Sequence, residues 1–161
     1  MAAHTLLTRA STLWCLGIAT VLLSLSFAPA AAQFDLVLLD GISSPAIARE
    51  TLASFSTEQR VAHAWITATM DVVYPLVYGP LFAGVTLLFF PKRRWLALPG
   101  LLVIPVDLFE GLVQVLALLE VSDWLGAKAL VTPLKLLLFA CGLITALAAW
   151  LQWLYHRVTS S

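Results

Sequence analysis

Charge is scarce in this chain. Lysine, arginine, aspartate and glutamate make up 11% of its 161 residues, less than half of the roughly 25% that covers the surface of a soluble domain. Basic and acidic residues balance to a net charge of zero, and no basic run with interleaved aromatics occurs, so no nucleic-acid partner is expected. Cysteine is nearly absent. Cys15 and Cys141 stand far apart in apolar surroundings with no Cys-x-x-Cys, which excludes a thiol-redox enzyme or a disulfide scaffold. Each reads as a small packing residue. The histidines, His4, His63 and His156, are spread along the chain, so neither a metal nor a haem or other cofactor is expected. His63 reads as a membrane-interface residue. No phosphate loop, Ser/His/Asp arrangement, nucleophile–base pair or internal repeat is present.

What the chain has in plenty is apolar sequence: 61% of residues are hydrophobic and the mean hydropathy is +0.94. Four runs, at about residues 12–31, 57–90, 95–120 and 127–155, meet the roughly 20 residues needed to cross a bilayer. Inside lipid every backbone amide must be satisfied within its own segment, so runs of this length are helices. The fold expected is all-α, an antiparallel four-helix transmembrane bundle forming a single domain over residues 1–161. The first run has a second reading. Its basic start and the string Ala28-Pro29-Ala30-Ala31-Ala32 also fit a cleaved secretory signal, although the run is long for one.

Orientation follows from the links. Lys92, Arg93 and Arg94 join the second and third spans, and short basic links stay in the cytoplasm. The other two links are acidic on balance: Asp35, Asp40, Glu50 and Glu58 against Arg49 and Arg60, then Glu120 and Asp123 against Lys128. Both belong outside, so the N- and C-termini are expected to be cytoplasmic. Trp14, Trp95, Trp150 and Trp153 then mark inner helix ends and Trp65 and Trp124 outer ones, as interfacial belts require.

The first outer link carries structure of its own. Ser44-Pro45 opens a short helix running to Phe55, with Ile47, Leu52 and Phe55 as its apolar members. It reads equally as a lid on the outer surface or as a plain connector. Ser56-Thr57-Glu58-Gln59 is a capping box that starts the second span.

Four ionisable residues lie where lipid opposes them: Asp71 in the second span, Asp107 and Glu110 in the third, and Lys135 in the fourth. Each costs about 3 kcal/mol at the bilayer centre on insertion scales, so they must face the bundle interior and find partners. Helical spacing aligns them with Thr67, Tyr74 and Tyr78, with Gln114, and with Thr132 respectively. Gly142, two turns beyond Lys135, leaves room for a neighbouring helix. Pro75 cannot donate to the Asp71 carbonyl, Pro80 does the same to Leu76, and Pro105 precedes Asp107; kinks there would expose polar backbone to a cavity. Three acids against one lysine leave an excess of negative charge. Either at least one of Asp71, Asp107 and Glu110 is expected to hold a proton at neutral pH, or a bound cation balances the cluster. Such a cluster serves one of two ends, fixing helix register or forming a pocket.

The string Asp71-Val72-Val73-Tyr74-Pro75-Leu76-Val77-Tyr78-Gly79, then Asp107-Leu108-Phe109-Glu110, then Thr132-Pro133-Leu134-Lys135, resembles the pattern of a group of small bacterial four-helix membrane proteins of unassigned activity. The resemblance spans residues 56–135 and implies the four-helix fold, the charged cluster and a bacterial inner (plasma) membrane, but no reaction. In that group an asparagine often follows the glutamate, where this chain has Gly111. A looser likeness is to the sterol isomerase and sigma-2 receptor superfamily, which also places acids in an intramembrane pocket.

Three classes of function remain open. The leading expectation is a membrane protein whose pocket, built on Asp71, Tyr74, Tyr78, Asp107, Glu110, Gln114, Thr132 and Lys135, binds a small or lipid-like ligand, or which serves other membrane subunits as an accessory chain. The second is an isomerase-type enzyme using paired carboxyls. The third is passage of protons or cations, against which stands the apolar run from Leu96 to Pro105.

Overall fold

A computed structural model describes residues 6–159; His4 lies outside them. Its helices are α1 (Ala10–Ala32), the short α2 (Pro45–Ser54), α3 (Thr57–Phe89), α4 (Leu98–Leu118) and α5 (Lys128–Thr159). No strand occurs among the described residues. The fold is all-α, and its four long apolar helices make the chain a multi-pass membrane protein.

The pairings give the direction of each helix. Gly79 and Asp71 of α3 meet Gly100 and Gly111 of α4, so these two helices run antiparallel. Glu110 and Gly100 of α4 meet Lys128 and Gly142 of α5, again in opposite senses. Ser24 of α1 reaches Tyr74 of α3, while Leu13 lies against Gly84. Helices α3, α4 and α5 pack on one another, and α1 packs on α3. Helix α1 buries little, with Ala31 its buried residue. All six tryptophans lie exposed on the perimeter, where indole rings reach the interface.

Three glycines set how closely the inner helices approach. A Cβ on Gly79 would stand 2.6 Å from the Gly100 carbonyl oxygen, and one on Gly142 would stand 3.3 Å from the Gly100 Cα. Small residues at such crossings allow the backbone contact that replaces hydrophobic driving force in lipid. The room that the sequence reserves at Gly142 is thus filled by Phe82 and Gly100.

Below we call the end of the bundle with the two acidic links the acidic end. There the capping box forms as read: Ser56 N–H donates to Gln59 Oε1 at 2.9 Å and Gln59 N–H to Ser56 Oγ at 3.2 Å. The Gln59 side-chain amide also donates to the Phe34 and Asp35 carbonyls, tying the exit of α1 to the start of α3. Helix α2 is capped by Ser44 and opened by Pro45. It packs on α4 and on the turn before α5 through Ala48 and Leu52, against Val113, Ala117 and Leu125. Ile47, expected among its apolar contacts, is 54% exposed; one helical position on, Ala48 takes the buried place because its small side chain lets α2 lie close.

The prolines act differently from a simple kink. Residues Thr67–Asp71 form a π-helical turn immediately before Pro75. Pro75 neither donates to the Asp71 carbonyl nor leaves it space in an α turn, and widening the preceding turn relieves both problems. Helix continues through Pro80 and Pro105.

Candidate functional site

The buried charges converge between the middle of the bundle and its acidic end. Glu110 is fully buried: Lys128 Nζ, at 2.5 Å, and the Thr132 hydroxyl donate to Oε1, and the Lys135 ammonium forms an ion pair with Oε2 at 2.5 Å. Asp107 accepts the Tyr78 hydroxyl at 2.6 Å and pairs with Lys135 at 3.0 Å. The third group near Lys135 is Asp40, at 3.7 Å, and Asp40 also accepts the Gln114 amide at 3.1 Å. Lys135 thus stands closest to Asp107 and Glu110, with Asp40 at the outer edge of ion-pair distance.

Asp71 has no ammonium partner among the described residues; its carboxyl adjoins that of Asp40, it is 7% exposed, and its Oδ2, like Gln114 Oε1, is buried with no hydrogen-bond partner there. The reason is local. Oδ2 faces α4 at Gly111, where a Cβ would stand 3.5 Å away, and glycine offers no side chain to meet it.

Around this cluster lies a cavity of about 260 Å³. Asp40, Asp71, Asp107 and Lys135 form its polar wall, with the Tyr74 and Tyr78 rings beside them. Phe27 of α1, Leu38 of the link, and Leu136 and Phe139 of α5 form the apolar side. Leu136 is 54% exposed, so the cavity reaches the bundle surface between α1 and α5. Towards the basic end the Tyr78, Phe82 and Phe139 rings pack together, Phe139 edge to face on both tyrosine and phenylalanine and Tyr78 tilted on Phe82. Beyond them a second, larger cavity of about 590 Å³ runs between α1 and α5 over α3, lined by apolar residues from Leu13 and Gly17 to Leu143 and Trp150.

The structure brings Asp71, Tyr78, Asp107, Glu110, Gln114, Thr132 and Lys135 together. Tyr74 lines the same cavity, but its hydroxyl bonds Ser24 of α1 at 2.9 Å instead of an acid. Two members were not legible as such. Asp40 and Lys128 read as solvated charges of the acidic links, yet Lys128 is fully buried on Glu110 and Asp40 folds back onto Gln114 and Lys135. The count is therefore four carboxyls against two ammonium groups, and the excess of negative charge expected from sequence persists. The missed signals were present: Lys128 is seven residues before Lys135 on one helix face, and Asp40 sits among Val37, Leu38, Leu39 and Ile42. Leu39 is wholly buried with Phe55, Ala64 and Leu118 and carries Asp40 inward with it.

Burial alone would raise the Asp40 carboxyl. The Lys135 ammonium, the Gln114 amide, the adjoining Asp71 carboxyl and Lys128 outweigh it and hold Asp40 below the usual aspartate value. His63 is also fully buried, not interfacial. Its Nε2 accepts from Leu39 N–H at 3.5 Å and its ring meets Phe55 edge to face, so it anchors the link that carries Asp40. Among the described residues no group of three His, Cys, Asp or Glu side chains is arranged to hold a metal ion. The rim carries two further ion pairs, Arg49–Asp123 and Arg60–Glu120. Compared with family models, curated proteins and solved structures, the chain matches none.

Proposed function

We propose that this protein binds a lipid-like amphiphile in the intramembrane cavity, its polar head against Asp71, Asp107 and Lys135 and its apolar part against Phe27, Leu38, Leu136 and Phe139. One observation carries the reading. A cluster that only locked helix register would be packed shut; here Asp40, Asp71, Asp107 and Lys135 line a cavity of about 260 Å³ whose other wall is apolar and which reaches the bundle surface beside Leu136. The division into a polar and an apolar wall is the usual make-up of a ligand site. The aromatic packing below Tyr78 supports a blind pocket over a conduit for protons or cations. In this reading the chain sits in a bacterial plasma membrane with both termini cytoplasmic, which the basic residues 92–94 support, and the polar cavity lies in the outer half.

A second reading has its own support. Asp107 is held by Lys135 and Tyr78 while Asp71 Oδ2 is unpaired, so two neighbouring carboxyls occupy different environments, the condition for dividing acid and base roles in an isomerase. Native mass spectrometry of the protein released from its own lipid separates the readings. A binder retains an amphiphile of unchanged structure, and retention falls when Leu136→Trp fills the cavity. Recovery of an isomerised ligand on incubation would favour the enzyme. Absence of any retained molecule, in wild type as in the variant, would end the binding proposal.

A further inference from the structure

Charge is divided unevenly between the two ends of the bundle. Of the nine lysines and arginines, five lie at the basic end: Arg9, Lys92, Arg93, Arg94 and Arg157. All nine aspartates and glutamates lie in or beside the acidic links or within the buried cluster. Lys92, Arg93 and Arg94 are exposed and form no ion pair among the described residues. Cations grouped without local acids attract negative charge from outside the chain.

The same end carries the larger cavity, about 590 Å³, between α1 and α5. It is a groove with apolar walls, among them Leu13 and Gly17 of α1, Val85 of α3, and Leu147 and Trp150 of α5. Leu147 and Trp150 are half-exposed, so the groove opens on the lipid. A gap among apolar side chains forfeits dispersion contacts, and within a bilayer the filler at hand is an acyl chain. The dimensions suit one. From Leu143 to Trp153, both on the wall, α5 rises about 15 Å. That is half of the about 30 Å hydrocarbon core, the depth of one leaflet.

The groove and the cations are joined. Phe89 lines the groove and also a basic hollow of about 290 Å³ that it forms with Phe90, Lys92, Arg93 and Gln152. The Trp153 ring lies 5.5 Å from that of Phe89, and the Arg157 guanidinium stands 5.2 Å over the Trp153 ring. The apolar channel thus ends beside an ammonium, a guanidinium and a carboxamide, donors that suit phosphate oxygens. Tryptophan at the junction marks the level at which head groups begin.

We infer that this face is a second lipid site, separate from the polar cavity, and that its occupant is an anionic phospholipid of the surrounding leaflet. Its phosphate sits against Lys92, Arg93 and Gln152, and one acyl chain lies in the groove past Trp150 and Gly17. A zwitterionic lipid fills the groove equally well but brings a cation of its own to the basic hollow. The inference does not depend on the binding reading of the cavity beside Asp71.

The full chain in maltoside micelles at pH 7 is titrated separately with dioleoylphosphatidylglycerol, dioleoylphosphatidylcholine and glycerol 3-phosphate, and native mass spectrometry counts the bound molecules. Phosphatidylglycerol should saturate, at least about ten-fold more tightly than phosphatidylcholine. Two basic residues at about five-fold each, the equivalent of about 1 kcal/mol per residue near an anionic surface, support that floor. The double substitution Lys92→Gln with Arg93→Gln should bring the two lipids close to equal. Gly17→Leu, which fills the groove and touches no charge, should weaken both. It carries the test if the charge variant does not fold, because a Cβ at Gly17 meets no atom within 4 Å. If the two lipids bind the wild type equally, or bound phosphatidylglycerol rises without saturating, the face holds bulk lipid only and the inference fails. If glycerol 3-phosphate binds as tightly as phosphatidylglycerol, or Gly17→Leu leaves phosphatidylglycerol binding unchanged, the groove takes no part and the inference fails as well.

Discussion

At the scale of single residues, the cluster contains two kinds of charge, and substitutions should tell them apart. Lys128 and Glu110 are both fully buried and joined at 2.5 Å. Lys128→Met leaves Glu110 buried with less compensation and should cost about 3–5 kcal/mol, the usual result of breaking one side of a buried pair. Asp71→Leu removes a carboxyl with no ammonium partner among the described residues, leaves no buried ammonium unpaired, and should cost less than Lys128→Met. Gly111→Asn should stabilise by about 1 kcal/mol, since it replaces a helix-interior glycine and satisfies Oδ2. Reversible unfolding in mixed micelles reads all three; an Asp71→Leu as damaging as Lys128→Met would make Asp71 part of a lock. Sequence spacing was enough to find Asp71, Asp107, Glu110 and Lys135, because charge inside a long apolar run has no other explanation. It missed Lys128 and Asp40 because both sit just beyond such runs. A charge there is solvated in most proteins, and only the packing of Leu39 and the first turn of α5 turns these two inward.

At the scale of elements, the start of α3 was fully legible because a capping box is a local pattern whose partners lie three residues apart. Ser56→Ala should lower stability by about 1 kcal/mol. The ends of α1 and α4 were less legible. Asp35 and Glu120 adopt left-handed conformations, φ 51° and 58°. Leu36 and Val121 then donate back to Ala31 and Leu116, the Schellman pattern usually signalled by glycine. The π turn at Thr67–Asp71 was foreshadowed by Pro75, but which side of the proline would yield was not. The crossing of α3, α4 and α5 depends on glycine without any motif to announce it. Gly79→Ala should destabilise by about 1–3 kcal/mol or more, since the added carbon meets the Gly100 carbonyl oxygen as well as the Ile104 side chain. An effect within about 0.5 kcal/mol of zero, the range of neutral surface changes, would show that the helices are less tightly crossed than described. The link that carries Asp40 should also respond to pH in a defined sense. A carboxyl held below its unfolded value stabilises the folded state above that value and loses the effect only as pH falls through its lowered pKa. Protection of the Leu39–Ile42 amides, corrected for the intrinsic pH dependence of exchange, should therefore keep the Asp40 contribution down to about pH 4, near the unfolded aspartate value, and lose it only in stronger acid. An acid-induced loss below that value that Asp40→Asn leaves unchanged would contradict this.

For the whole molecule, apolar length was enough to read the four spans, and the basic residues 92–94 carry the proposed orientation. A cysteine placed at Lys92 should react with an impermeant thiol reagent from the cytoplasmic side and one at Ser44 from the opposite side; the reverse labelling would invert the bundle. What composition could not show was the looseness of α1, which packs on α3 and leaves cavities between itself and α5. That gap is the route by which a ligand would reach Asp71 from the bilayer. The most direct test of the account is a structure of the protein purified in its native lipid and inspected between Asp40, Asp71, Asp107 and Lys135. The account predicts density for a bound amphiphile with its head against Asp71, Asp107 and Lys135 and its chain emerging beside Leu136. A closed, dry cluster would contradict it and reduce the charges to a helix lock.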